Sequence, residues 1–83
     1  MRKNWQFRIP DYARDIEGSL QKALWDTEEK FGKHRVRLGV FVTTSSDRKT
    51  ITVDTSTLEG QHFAVAFYFA SKSRLISSEE RVL

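Results

Sequence analysis

The chain has 83 residues, with 14 lysines and arginines against 11 aspartates and glutamates, so its formal net charge is a mildly basic +3. A chain of this length builds a single domain, residues 1–83, around a thin core. Cysteine is absent, which excludes disulfides, thiolate metal sites and cysteine catalysis.

The sequence also limits which ligands and which cellular compartment we expect. The two imidazoles, His34 and His62, are far apart in sequence, so we expect no metal site and no cofactor. No segment is long and apolar enough to cross a bilayer, and the basic N-terminus lacks the apolar run of a secretory signal. We therefore expect a complete cytoplasmic chain with no membrane partner.

The first predicted element is a short strand at residues 4–9. Trp5, Phe7 and Ile9 alternate with polar residues, which is the period of a half-buried strand. Pro10 ends this strand, because proline has no N–H for the ladder.

A helix is predicted next, at residues 11–31. Asp11 is expected to cap its N-terminus, and Gly32 is expected to take the left-handed conformation after its C-terminus. Trp25 falls off the apolar stripe and lies either at its margin or in solvent. The stripe has helical spacing and consists of Tyr12, Ile16, Leu20, Ala23, Leu24 and Phe31.

Three further strands are predicted after the helix. Residues 35–43 and 50–53 alternate apolar and polar side chains around a polar turn, so they should form a hairpin. Residues 62–70 are apolar on both alternating faces, which is typical of a central strand. The tail from Ser71 is ambiguous, because it fits either a short strand or a last turn of helix.

Together these elements predict an α+β domain of order β-α-β-β-β, with the one N-terminal helix packed on one face of an antiparallel sheet. One helix covers only one face, so the other is either open or covered by the C-terminal segment through Leu75, Ile76 and Val82. Unpaired sheet edges would also allow two copies to join edge to edge.

The leading functional hypothesis is a small non-catalytic binding module that occupies a surface of a protein partner, or of a second copy of itself. Phe41 and Tyr68 would be aromatic anchors on the open sheet face. Small intracellular regulators and inhibitors, including those encoded by phages and plasmids, often have this build, which is an analogy from size and composition. The other candidate contact residues are Trp25, Arg35 and Arg37.

A nucleic-acid-binding protein is the alternative on the same face. Phe41 and Tyr68 would stack on bases, as the aromatics of open sheets do on single strands. The phosphates would meet the densest basic run of the chain, which supplies Lys33, Arg35 and Arg37.

A small ribonuclease toxin is the third class. His34 or His62 would act as the acid/base group, oriented by a carboxylate such as Asp54 or Glu59. Because nothing in the sequence brings a histidine and a carboxylate together, we expect a protein without catalytic activity.

Overall fold

The computed structural model describes residues 2–11 and 13–80, with side chains as far as residue 75. The fold is α+β, with a three-stranded antiparallel sheet and two α-helices among these residues. The predicted class is confirmed, but the predicted order β-α-β-β-β is wrong because the last element is a helix. In chain order the elements are β1 (Lys3–Arg8), α1 (Ile16–Phe31), a 3₁₀ turn (Arg35–Leu38), β2 (Val40–Thr44), β3 (Thr50–Thr55) and α2 (Leu58–Glu80).

The central strand of the sheet is β3, and the order across the sheet is β1-β3-β2. Trp5 of β1 lies opposite Val53 of β3, and strand alternation turns both side chains to the same inner face. The outer face carries polar side chains and Phe41. The predicted hairpin of β2 and β3 is confirmed, and β1 and β2 are the two edges of the sheet.

Residues 62–70 belong to α2, so the prediction of a strand there is wrong. Phe63, Phe67, Ser71 and Leu75 are buried at every fourth position, which is the period of one helix face. An unbroken apolar run satisfies the period of a strand and of a helix equally, and periodicity alone therefore could not choose.

Two local signals do favour a helix in this segment. The Thr57 hydroxyl oxygen accepts the Gly60 N–H at 2.8 Å, which is the hydrogen bond of a helix N-cap. No glycine or proline follows Gly60 in the sequence. A run of this length without a breaker is longer than an ordinary strand.

The predicted bounds of α1 are right at one end only. The helix begins at Ile16, because Asp15 adopts a left-handed φ of 48° and separates the helix from the turn that contains Asp11. Asp11 therefore does not cap it. At the other end Gly32 takes the predicted left-handed conformation, with φ 69°. Tyr12 lies outside the described residues.

The predicted strand at 35–43 is also shorter than expected. Its first part is the 3₁₀ turn, in which His34 Nδ1 accepts the Val36 N–H at 3.3 Å. Gly39 ends the turn with φ 70°, and its N–H donates to the Val36 carbonyl at 3.1 Å. These local hydrogen bonds replace the ladder bonds that a strand would make.

The helical layer is arranged differently from the prediction. α2 crosses all three strands, while α1 packs mainly along α2. The helix that covers the sheet is thus the C-terminal one, not the N-terminal one. Each fully buried large side chain contributes about 1.5–3 kcal/mol. The core consists of Ile9, Leu20, Ala23, Leu24, Leu38, Val40, Ile51, Val53, Phe63, Ala64 and Phe67.

The C-terminal segment continues α2 as far as Glu80. Leu75 is buried on this helix, which packs against the inner face of the sheet, so the described part of the segment does not cover the outer face. The side chain of Ile76 and all of Val82 lie outside the described residues. Within residues 2–11 and 13–80, no helix is both long enough and apolar enough to cross a membrane.

Candidate functional site

The aromatic residues predicted to share one open face do not share it. Phe41 lies on the outer sheet face and is 56% exposed. Tyr68 lies on α2 at the inner face, where its ring meets Phe7 edge-on at 5.1 Å between centroids. Trp25 is on α1 and is 58% exposed. A single surface built from Phe41 and Tyr68 is therefore wrong, because residues 62–70 are helical.

The basic run is largely occupied by carboxylates of the chain itself. The Lys33 ammonium lies 3.4 Å from the Glu59 carboxylate. Glu28, which is largely buried, accepts the Arg35 backbone N–H at 3.0 Å and lies 3.5 Å from the Arg35 guanidinium. Arg37 is exposed on the 3₁₀ turn. This run therefore ties the turn to both helices and presents fewer unpaired cations than its sequence suggests.

His34 uses both ring nitrogens within the fold. Its Nδ1 accepts the Val36 N–H, and its Nε2 lies 3.3 Å from the Glu28 carboxylate. A neutral imidazole has one nitrogen lone pair, and here Nδ1 uses it to accept the Val36 N–H, so none is left for general-base work. His62 is exposed on α2, and no ion pair involves it among the described side chains.

The carboxylates proposed to orient a histidine have other partners. Asp54 accepts the Asn4 amide N–H at 2.6 Å on the outer sheet face. Glu59 pairs with Lys33. Within the part of the chain that the structure describes, no cluster of three or more histidines and carboxylates could hold a metal ion.

A groove of about 390 Å³ lies between the edge strand β1 and helix α2. We call it the β1–α2 groove. Its volume falls in the range of roughly 300–1,000 Å³ that is usual for ligand sites. The lining is almost entirely apolar and consists of Trp5, Gln6, Phe7, Val53, Ala64, Val65, Tyr68 and Phe69.

The helical wall of the groove follows directly from the spacing along α2. Ala64, Val65, Tyr68 and Phe69 are separated by the intervals that place residues on one side of a helix. Val65 is 43% exposed and Phe69 is 62% exposed, although both are large and apolar. Such side chains are common singly, but here they adjoin one continuous groove.

Comparison with models of protein families, with curated proteins and with solved structures finds no match to this chain. The functional conclusion therefore depends on the chemistry of the groove and not on the fold alone.

The base of the groove is a connected set of aromatic rings. The Phe7 ring lies 6.2 Å from that of Phe67, and the Tyr68 ring lies 5.3 Å from that of Phe69, each centroid to centroid. Edge-to-face contacts at these distances add about 0.5–1.5 kcal/mol each beyond the burial of area. The groove is thus preformed, because the side chains at its base pack against the core.

Two ammonium groups lie over rings that line the groove. Lys3 Nζ is 5.2 Å from the Trp5 ring centroid, and Lys72 Nζ is 5.8 Å from that of Tyr68. Within the described residues neither lysine pairs with a carboxylate, in contrast to Lys33. The groove therefore has an apolar floor and cationic groups at its margins.

The Trp5 indole adds one unsatisfied donor to this wall. Its Nε1 is buried and finds no acceptor among the described residues. Indole nitrogen can only donate, so only an acceptor can satisfy it. A buried donor without a partner costs about 1–3 kcal/mol.

Of the groove residues, the sequence pattern singled out Tyr68 as a contact residue but missed Val65, Phe69, Lys3 and Lys72. The signal that could have found the three on α2 is the stripe of that helix, on which Gln61, Ala64, Val65, Tyr68, Phe69 and Lys72 recur at intervals of three and four residues. Lys3 lies on β1, outside this stripe. The strand interpretation of the segment divides this stripe between two faces.

Proposed function

We propose that this chain is a non-catalytic protein-binding module, of regulator or inhibitor type, that holds a protein partner in the β1–α2 groove. The observation that carries the proposal is the exposure of Val65 and Phe69 beside a preformed apolar groove. Burying apolar area contributes roughly 25 cal/mol per Å², and aromatic side chains in a pocket are the usual anchors of an interface.

The chemistry of the groove favours a protein over the other two classes. An apolar floor suits a protein side chain, whereas a nucleic acid needs cations that are free to meet its phosphates. Of the predicted phosphate contacts, Lys33 and Arg35 already pair with carboxylates. Catalysis is disfavoured because His34 has no free lone pair with which to accept a proton. A cytoplasmic location is part of the same proposal.

Site-specific photo-cross-linking tests this function. A benzophenone amino acid is placed at Phe69, in the groove, or at Phe41, on the outer sheet face. Both positions hold exposed phenylalanines, with 62% and 56% exposure, so they are matched in side chain and accessibility. In its own host, the chain should give a discrete cross-linked protein from position 69 and none from position 41.

The specificity of that product is checked by adding Val65→Asp beside the cross-linker at 69. A charge in the groove should abolish the product, because an unpaired carboxylate is costly to bury against apolar groups. Equal products from both positions, or a product that Val65→Asp leaves unchanged, would show that the groove is not the contact surface.

A further inference from the structure

The structure also points to the kind of segment that occupies the groove. We propose that it is an extended stretch of a partner protein in which apolar and acidic residues alternate, and that it joins the sheet as a fourth strand along β1. This inference rests on the proposed function above and specifies its ligand.

The free edge of β1 can be identified from the hydrogen bonds of its neighbour. The Ile9 N–H donates to the Lys49 carbonyl at 2.8 Å, immediately beyond the β1–β3 ladder. Because bonded and non-bonded pairs alternate in an antiparallel ladder, Lys3, Trp5 and Phe7 bond to β3. The backbone N–H and C=O groups of the even-numbered residues therefore face away from the sheet; these residues are Asn4, Gln6 and Arg8.

The opposite side of β3 agrees with this assignment. The Ser45 N–H donates to the Thr50 carbonyl at 2.9 Å, and the Ser56 N–H donates to the Gly39 carbonyl at 3.0 Å. The even-numbered residues of β3 thus bond to β2, which leaves the odd-numbered ones for β1. The outward backbone groups of β1 are consequently available to another strand, as in β-strand addition.

The groove dictates the apolar half of the partner sequence. A strand added to β1 would turn alternate side chains to the same face as Trp5 and Phe7. These side chains would enter the groove and reach the wall that contains Val65 and Phe69. Every second residue of the partner should therefore be apolar.

The basic residues near β1 indicate which side chains the partner should have at its other alternate positions. Residues 1–10 contain Arg2, Lys3 and Arg8 and no acidic residue. Arg2 and Arg8 occupy even positions, which alternate to the outer face, away from Trp5 and Phe7. The other alternate side chains of an added strand would lie on this outer face, where carboxylates would meet Arg2 and Arg8.

The same charges argue against a second copy of this chain as the occupant. If β1 paired with β1 of another copy, every charged contact between the two strands would join cations, whatever the register. Like charges opposite each other destabilise a strand pair. The homodimer by this edge is accordingly an outcome that the test must reject.

The test uses a fluorescein-labelled peptide of about eight residues in which valine and glutamate alternate, the pattern of a half-buried strand. Its controls are the same peptide with lysine for glutamate, the same composition with valines and glutamates in separate blocks, and a version N-methylated on the residues that face β1. Fluorescence anisotropy should show binding of the first peptide at least about tenfold tighter than each control. Equal affinities would overturn the inference.

Tryptophan supplies an internal control, because the chain contains only two. In a ¹H–¹⁵N spectrum the indole N–H of Trp5 should shift on addition of the peptide, because Trp5 lines the groove. The indole N–H of Trp25, exposed on α1, should stay in place. A shift of Trp25 alone would place the peptide elsewhere and overturn the inference.

Two proline variants test the edge itself. Gln6→Pro removes an outward N–H of β1, and Thr44→Pro removes an outward N–H of the opposite edge, β2. Proline is tolerated where the strand N–H faces solvent, so both should fold, and circular dichroism checks this. Gln6→Pro should weaken binding of the peptide at least about tenfold. Thr44→Pro should leave the affinity for the peptide unchanged. Equal effects would contradict strand addition at β1, and the N-methylated peptide provides the same test without changing the protein.

Charge reversal completes the design. Arg2→Glu with Arg8→Glu should switch the preference from the glutamate peptide to the lysine peptide, and an unchanged preference would overturn the acidic assignment. A cross-link from position 69 with no discrimination among the peptides would reject this inference but leave the proposed function standing. A concentration-dependent dimer that Gln6→Pro abolishes, measured by sedimentation, would make a second copy the occupant and reject the acidic segment.

Discussion

Phe67 and Phe69 of α2 lie on opposite sides of the same helix, two positions apart. Phe67 is fully buried, with 0% exposure, and its ring meets that of Phe7 from β1. Phe69 is 62% exposed at the margin of the β1–α2 groove. The helix thus buries one phenylalanine against the sheet and leaves the other exposed at the groove.

This pair predicts a sharp difference in stability between two identical substitutions. Phe67→Ala should lower the free energy of unfolding by about 3–5 kcal/mol, because it leaves a cavity in the core. Phe69→Ala should lower it by less than about 1 kcal/mol, as expected of an exposed position. Urea unfolding measures both. Similar losses for the two variants would indicate that both rings share one buried face.

Gly60 predicts a tight contact between α2 and the 3₁₀ turn. A Cβ at Gly60 would lie 2.5 Å from the Leu38 carbonyl oxygen, so the helix would have to shift. We expect Gly60→Ala to cost about 1–3 kcal/mol, although alanine is the better helix former. Gly32→Ala is the control: its Cβ would meet nothing within 4 Å, and it should cost only the left-handed strain of about 1 kcal/mol. Stabilisation by Gly60→Ala would contradict the contact.

Glu28 predicts a structural role for the basic run. It accepts the Arg35 N–H and lies beside the His34 imidazole and the Arg35 guanidinium. Glu28→Ala should destabilise the chain by about 1–3 kcal/mol, because it leaves these donors without an acceptor. Glu29→Ala removes an exposed neighbour and should change the free energy of unfolding by about 0.5 kcal/mol or less. Thermal unfolding of both variants measures this difference. Equal stabilities of Glu28→Ala and Glu29→Ala would contradict the structural role of Glu28.

Asp47 predicts a pH dependence in the β2–β3 turn. The hydrogen bond from the Ser45 hydroxyl, at 2.5 Å, and that from the Lys49 N–H, at 3.1 Å, hold the pKa of Asp47 below its ordinary value of about 3.9. A lowered pKa in the folded state means that the ionised form stabilises the turn. That contribution is complete above the ordinary value and is lost as the pH falls through the lowered one.

An NMR titration of the Asp47 carboxyl carbon should show this pKa directly. Ser45→Ala should raise it toward the ordinary value, because the largest cause of the shift is removed. Ser46→Ala, which changes the exposed neighbour, should leave it in place. A pKa of Asp47 that does not respond to Ser45→Ala would contradict the role of this hydroxyl.

The ion pairs of the basic run predict weak binding to nucleic acid. Titration with single-stranded RNA, single-stranded DNA and duplex DNA should show binding at low salt that disappears near about 150 mM, because Lys33 and Arg35 of the predicted phosphate contacts are already paired with carboxylates. Arg35→Ala with Arg37→Ala should then change little. Binding that survives this salt and falls steeply in the double variant would favour the nucleic-acid alternative over the protein-binding proposal.

Local rules were sufficient where one residue or one short pattern decides the conformation. The alternation of Trp5 and Phe7 identified the first strand, and Gly32 identified the end of α1, since few other residues accept its φ. The start of α1 was missed, because Asp11 and Asp15 are both plausible caps by composition and only the path of the turn separates them.

The candidate site could not be predicted from short sequence patterns. Phe41 and Tyr68 were placed together by a predicted strand at residues 62–70 that is in fact part of α2. The groove forms only when β1 is next to α2, and these elements are about 50 residues apart in the chain. No short-range pattern contains that contact.

By itself, then, the sequence determined the α+β class, the β2–β3 hairpin and the cysteine-free chemistry, because these depend on composition and on neighbouring residues. Periodicity left residues 62–70 undecided between strand and helix, and only the tertiary structure showed that this segment, not α1, covers the sheet. The physical reason is that a fully apolar run is compatible with either backbone. The choice is made by which side chains find a place in the core, and here Phe63, Phe67 and Leu75 do so at helical spacing while Phe69 is left in solvent.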